Sequence, residues 1–273
     1  MPLRQLTPLD AVGPYRIVRR LGAGGMGEAY EELAPDGSRV CVKVMRPELL
    51  SAPRYVRMFE DEARIHALLD HENIVRLLDT GSLDGLPYLV LEMVDGTNLD
   101  SVLTMLTQRG ETAPIAASAH ILTSLCLALE TAHGFAVAGV PQHLVHRDVS
   151  PSNVLLGRRG DVKLTDFGIA KSNTREPHTT AGVVRGKFAY MSPEQTRGEA
   201  LDQRSDLFAL GVIAYQLFTG THPFRVGRDD NDVMTAHRML LGERDPLAQH
   251  APWLPTALRD ETERLLEPER AIG

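Results

Sequence analysis

The sequence predicts an α+β chain in two lobes, a small β-rich one followed by a larger, mainly helical one. Over residues 13–92, short apolar runs alternate with turn signals, with one helical stretch among them. Beyond residue 92 the apolar residues recur at helical spacing, with only short strands between. The composition agrees. The 273 residues are 43% hydrophobic and 24% charged, the balance of a globular chain long enough for two lobes sharing a cleft.

Each element has its local reason. Tyr15–Leu21 and Glu28–Leu33 are strand-like and flank a glycine-rich turn. Pro35-Asp36-Gly37 is a turn before Ser38–Met45, a valine-rich strand. Arg54–Leu69 has helical spacing, with Phe59, Ala63, His66 and Leu69 near one face. Ile74–Asp79 and Pro87–Met93 read as strands joined through Asp84-Gly85. Helices follow at Leu99–Arg109, Pro114–Ala138, Arg204–Thr219, Asn231–Leu241 and Thr256–Leu266, with short strands at Asn153–Leu156 and Val162–Thr165. Residues 1–12 form an N-terminal extension and 269–273 a short tail, leaving a domain over 13–268.

Composition also excludes function classes. A net charge of −7 gives no general basic field for nucleic acid. Cys41 and Cys126 lie far apart, which speaks against a disulfide framework or zinc site and fits a reducing, cytoplasmic setting. Met1–Val12 holds Arg4, Asp10 and two prolines and does not read as a signal peptide. Residues 112–129 carry no formal charge, but Pro114, Ser118, His120, Thr123 and Ser124 favour a buried helix over a membrane span. Of 29 Lys+Arg only four are lysines: Lys43, Lys163, Lys171 and Lys187. In such an arginine-rich chain, a surviving lysine marks a place where a planar guanidinium would not serve.

Gly22-Ala23-Gly24-Gly25-Met26-Gly27 matches GxGxxG, but a strand follows it, so a dinucleotide-binding strand–turn–helix is not expected. A glycine hairpin can instead lay backbone N–H groups over phosphates. Lys43 sits at the end of the next strand, and Glu62, 19 positions on, offers its ammonium a partner. His146-Arg147-Asp148-Val149-Ser150-Pro151-Ser152-Asn153 is followed, 18 residues after Asp148, by Asp166-Phe167-Gly168.

These motifs, with Ser192-Pro193-Glu194, resemble in order and spacing the eukaryotic-like serine/threonine protein kinases of bacteria, in a myxobacterial-looking branch. The resemblance runs from Gly13 to Leu266. It implies a two-lobed fold, with a five-stranded antiparallel sheet plus one helix in the N-lobe (13–92) and helices in the C-lobe (93–268). It implies transfer of the γ-phosphate of Mg·ATP, with Mn²⁺ as a second choice of cation, to protein Ser and Thr hydroxyls. Asp148 would take the substrate's hydroxyl proton, Asn153 and Asp166 would bind the cation, and Lys43, held by Glu62, would bind phosphates. Gly22, Gly24 and Gly27 would cover the phosphates. Ala29 and Cys41 would lie above the adenine and Leu155 below it, with backbone contacts at Glu92 and Val94 and Leu91 as gatekeeper. Phe167, His146, Leu77 and His66 would form the stack that couples the lobes. Asp206 would brace the catalytic loop, and Glu194 would pair with a late arginine such as Arg270.

Two departures from that pattern stand out. Ser150 occupies the position where these kinases usually carry lysine, and Lys187 occupies that of the activation-segment threonine. Against that pattern the two are exchanged, with Lys187 expected to reach Asp148 and the γ-phosphate while Ser150 supplies the hydroxyl. Ser150 also leaves open a pseudokinase that binds nucleotide as a scaffold. A small-molecule phosphotransferase ranks third. Thr179 and Thr180 are candidate autophosphorylation sites, and Arg147 and Lys171 candidate readers of the added phosphate. The partners expected are protein substrates and, for phosphorylation in trans, a second copy of the chain. Lys163 is expected on a solvated strand face.

Overall fold

The computed structural model describes residues 11–167, 187–225 and 232–268. The first lobe is built on one antiparallel sheet of β1 (Ala11–Val12), β2 (Tyr15–Ala23), β3 (Gly27–Leu33), β4 (Arg39–Met45), β5 (Leu77–Leu83) and β6 (Leu86–Glu92), in the order β1-β2-β3-β4-β6-β5. Alternation along β4 sorts its side chains. Val40, Val42 and Val44 are buried with Tyr15, Ile17, Tyr30, Tyr88 and Val90 on the outer face. Cys41 and Lys43 point the other way, toward the cleft side. Helix α1 (Pro53–Leu68) lies against β5 and β6, where Phe59 joins Met45 and Leu89 in a second small core.

The second lobe contains β7 (Gly96–Asn98), α2 (Leu99–Arg109), α3 (Ile115–His133), a hairpin of β8 (Ala136–Val137) and β9 (Val140–Pro141), and the pair β10 (Val154–Gly157) and β11 (Val162–Leu164). Helices α4 (Pro193–Arg197), α5 (Gln203–Thr219), α6 (Asp232–Leu241), α7 (Leu247–His250) and α8 (Thr256–Leu265) complete it. Helix α5 is apolar on every side from Phe208 to Phe218, apart from the half-buried Gln216, and so becomes the hub of the lobe. Gly211 is required there, because a Cβ would sit 2.8 Å from Leu265 Cβ of α8. Helix α3 is long and apolar enough to cross a membrane by composition. Here Ser118, Ile121, Leu125, Ala128, Leu129 and Ala132 face the core shared with α5 and β11.

Three expectations are corrected. The sheet gains a sixth strand, because Val12, placed in the N-terminal extension by sequence, buries its side chain and pairs with Tyr15 across Gly13. The strand expected from Ile74 begins at Leu77, because Asn73 and Val75 spend their backbone groups on Leu164 of β11. The helix expected to reach Ala138 ends at His133. Gly134 follows it, and Ala138 and Gly139, at φ +51° and +80°, turn the chain into the β8–β9 hairpin.

Glu32 is the anomaly of the first lobe. It is fully buried on β3, neither carboxyl oxygen has a hydrogen-bond partner, and burial pushes its pKa up to about 8. An unfolded glutamate titrates near pH ~4.3. Between those values the folded chain holds a proton that the unfolded chain releases. Stability therefore falls as pH rises through that window and levels off above it. Glu32→Gln removes the titration. Its melting midpoint is expected to match wild type near pH 5 and to exceed it by about 5 °C at pH 8, measured by thermal unfolding across that range.

Candidate active site

The glycine-rich turn is a hairpin between β2 and β3, closed by the Gly24 N–H donating to the Gly27 carbonyl at 2.8 Å. Gly27 has no room for a side chain, since a Cβ would lie 2.7 Å from the Val44 carbonyl oxygen. Gly22 pairs with Ala29, and Ala29 pairs with Lys43, so the hairpin, Ala29 and Lys43 lie side by side. Cys41 pairs with Leu91 across the sheet, and burial pushes its thiol up to about 12, so it stays protonated. Leu155 of β10 pairs with Lys163, while Glu92 ends β6 and Val94 follows it, both half-buried.

Lys43 is the electrostatic centre. Its Nζ donates to Glu62 Oε1 at 2.6 Å and to Asp166 Oδ1 at 2.8 Å. Burial opposes its charge, but Asp166 and Glu62 outweigh it and hold the ammonium protonated. Glu62 feels burial and the nearby Asp166 as upward pushes on its pKa, with Lys43 pulling the other way. Its side chain is only 4% exposed, whereas that of Asp166 is 41% exposed.

The loop from His146 to Asn153 is held from below. Asp206 of α5, with a fully buried side chain, accepts the His146 and Arg147 N–H groups, each at 2.8 Å, and faces His133 Nε2 at 2.8 Å. Arg147 and Asp166 are both left-handed, at φ +66° and +56°. Asn153 donates from Nδ2 to the Asp148 carbonyl at 2.8 Å and to Asp148 Oδ2 at 3.1 Å. The Ser150 hydroxyl lies 3.0 Å from that of Ser152.

Phe167 sits between two rings, His146 at 4.4 Å and His66 at 5.4 Å between centroids. Burial lowers the pKa of both histidines, that of His66 to about 4, so both rings are neutral. Acting as acceptors, the carbonyls of Thr165 and Val75 place the ring protons on His146 Nε2 and His66 Nδ1. Leu77 packs against the cluster of Met45, Phe59 and Leu89.

Other expectations fare differently. Glu194 accepts a hydrogen bond from Ser205 Oγ at 2.6 Å, and Arg270 lies outside the described residues. Gly168, Lys171, Thr179 and Thr180 also lie outside them, as does the Lys187 side chain; the Lys187 backbone opens a short 3₁₀ turn, Lys187–Tyr190. The expectation for Lys163 is overturned. Its Nζ donates to Glu92 Oε1 at 2.7 Å, with the two side chains only 16% and 22% exposed. The same oxygen accepts the Arg76 N–H at 2.8 Å. Strand alternation gave no warning, because Lys163 stands between the buried Val162 and Leu164 and so faces away from them, as a solvated residue would.

The oxygen donors of Asp166 and Asn153 suit a hard cation such as Mg²⁺, which takes few protein ligands and completes its shell with phosphate and water. Among the described residues no group of three or more His, Cys, Asp and Glu forms a metal cluster. A cleft that sets a buried cation and a half-exposed carboxylate opposite a braced aspartate is the architecture of a nucleotide-dependent phosphotransferase. The protein kinase domain family matches residues 15–267, and the chain belongs to that family.

The chain is 40% identical over 92% of its length to a Myxococcus xanthus protein named tyrosine-protein kinase MasK. It is 44% identical over 78% to the serine/threonine-protein kinase Pkn1 of the same organism. It is 39% identical over 78% to the serine/threonine-protein kinase PknA of Mycobacterium tuberculosis. It spans only 39%, 30% and 48% of those relatives. The crystal structure of the Mycobacterium tuberculosis PknI kinase domain superposes with a TM-score of 0.69 at 27% identity, covering 97% of this chain and 92% of that one.

Removing Lys163 leaves Glu92 half-buried with one donor fewer. Lys163→Met is expected to lower the unfolding free energy by about 1–2 kcal/mol, measured by urea denaturation. Glu92→Gln is expected to cost less, because its amide oxygen can still accept the Arg76 N–H.

Proposed function

We propose that this chain is the catalytic domain of an ATP-dependent protein kinase that phosphorylates Ser and Thr hydroxyls. The observation that carries the reading is Lys43 bridging Glu62 and Asp166 above a loop whose Asp148 and Asn153 are hydrogen-bonded. The domain is taken as 13–268 with the lobes meeting after Glu92, and the strand at Ala11–Val12 belongs with it.

In this reading Asp148 receives the proton of the incoming hydroxyl. The hydroxyl oxygen bonds to the γ-phosphorus, the bond to the β-bridging oxygen breaks, and ADP leaves. Lys43 exchanges Asp166 for phosphate oxygens while keeping Glu62. Asp166 and Asn153 would hold Mg²⁺, which when bound neutralises phosphate charge. Ala29, Cys41 and Leu155 would enclose the adenine, and the backbone at Glu92 and Val94 would bind its edge. Lys187 would supply the cation that Ser150 lacks. Thr179 and Thr180 would be phosphorylated in trans by a second copy and read by Arg147 and Lys171. Protein substrates and a cytoplasmic setting complete the proposal.

The names of Pkn1 and PknA support serine and threonine as acceptors, and that of MasK makes tyrosine worth assaying. With radiolabelled ATP and Mg²⁺, the wild-type chain is expected to label itself, and chelation by EDTA to abolish labelling. Asp148→Asn is expected to reduce transfer by about 10²–10⁴-fold. Phosphoamino-acid analysis of the product reports the hydroxyl class. ATP binding without transfer would favour the pseudokinase instead.

Lys187→Ala and Lys187→Thr are each expected to slow autophosphorylation at least ~10-fold, as removal of a charge from the transferring phosphoryl group should. Near-normal rates in both would remove Lys187 from the reaction.

A further inference from the structure

The backbone of Arg147, the residue before Asp148, is held at both of its polar groups by side chains from different helices. On one side, the Arg147 N–H donates to Asp206 of α5 at 2.8 Å. On the other, the Arg147 carbonyl accepts from Gln195 Nε2 of α4 at 2.8 Å. Gln195 has a second task. Its Oε1 accepts the Ser192 N–H at 2.9 Å, and Ser192 Oγ accepts the Gln195 N–H at 3.3 Å, a reciprocal cap on the start of α4. Both backbone polar groups of Arg147 are thus taken, the oxygen by Gln195 of α4 and the nitrogen by Asp206 of α5.

We propose that Gln195 is a positioning residue for phosphoryl transfer, acting by fixing the left-handed backbone of Arg147 and so the direction in which Asp148 leaves it. Three observations join in this inference. Arg147 is not glycine, so φ +66° is strained and persists only where its surroundings hold it. Capping α4 needs only an acceptor at Gln195, so the donation to Arg147 is a function the helix does not require. And α4 is itself anchored to α5 by the Ser205 hydroxyl donating to Glu194, so Gln195 and Asp206 grip Arg147 from one connected base. The inference rests on the kinase reading for its consequence in rate, but not for its geometry.

Two substitutions isolate the donor. Gln195→Glu keeps the acceptor for Ser192 and loses the donor to Arg147. Gln195→Met loses both at similar volume and adds no charge. Their shared defect is the missing donor. With Mg²⁺ and radiolabelled ATP, both are expected to slow the initial rate of transfer about 10-fold at saturating ATP, with the KM for ATP within twofold of wild type. Only Gln195→Met is expected to lower the melting midpoint. Transfer within twofold of wild type in either variant would overturn the proposal. So would a Gln195→Glu variant that loses as much thermal stability as Gln195→Met. If the wild-type chain transfers no phosphate, the kinase reading fails, and amide hydrogen exchange decides the geometry alone. Faster exchange at His146, Arg147 and Asp148 in both variants supports the positioning role, and unchanged exchange overturns it.

Discussion

The carboxylate of Asp206 is the constraint on which the catalytic loop depends. A fully buried carboxylate is costly unless its oxygens are satisfied, and here the His146 and Arg147 N–H groups and the His133 ring face it. The arrangement works because α5 is packed on all sides. Its apolar residues fill the centre of the lobe on all sides, so the carboxylate it carries near its N-terminus is a fixed point. The loop is therefore shaped by a helix that comes some sixty residues later in the chain.

That fixed point stores strain where carboxylates must be aimed. Left-handed geometry in a residue other than glycine costs roughly 1–2 kcal/mol. The two instances within the site fall at Arg147, next to Asp148, and at Asp166 itself. Each is flanked by enforced contacts. Arg147 is held by Asp206 and Gln195. Asp166 lies between Thr165, whose carbonyl accepts from His146, and Phe167, which is wedged between His146 and His66. His146 serves both sites. Its backbone N–H binds Asp206, its Nδ1 accepts the Asp148 N–H, and its Nε2 reaches Thr165. One neutral imidazole thus ties the two strained turns together, which requires it to remain uncharged.

The site was more legible in the sequence than its supports were. Lys43, Glu62, Asp148, Asn153 and Asp166 each announce themselves by type and spacing, because phosphoryl transfer needs charges at fixed separations. Of the residues that hold them, Asp206 and the rings of His66, Phe167 and His146 were expected only through the resemblance, and Gln195 and the Lys163–Glu92 pair not at all. Gln195 reads as a helix residue because its second partner is 48 positions away. The β8–β9 hairpin was hidden because Phe135 to Val140 is apolar enough to extend a helix, and only the Ala138-Gly139 turn redirects it. Ile74 and Val75 have strand composition, yet the Val75 N–H and the carbonyl of Asn73 beside Ile74 are claimed by β11, a competition visible only in three dimensions.

Lys163 shows what the scarcity of lysine was worth. It and Asp166 stand three residues apart, and each is paired with an oppositely charged residue of the first lobe, Glu92 and Lys43 respectively. Between them, Leu164 exchanges backbone hydrogen bonds with Asn73 and Val75. One short segment is thus fastened to the first lobe at three successive points. The outer two are not equivalent. Lys163 and Glu92 are both largely shielded, and Glu92 is further held by Arg76, so water and ligands compete poorly for that pair. Asp166 is 41% exposed, and Lys43 keeps the buried Glu62 if it releases Asp166. In the proposed reaction an arriving phosphate or cation would displace this pair and leave that of Lys163 and Glu92 in place. One contact between the lobes is thus shielded and doubly held while the other is half-exposed, the asymmetry that the proposed exchange of Asp166 for phosphate would use.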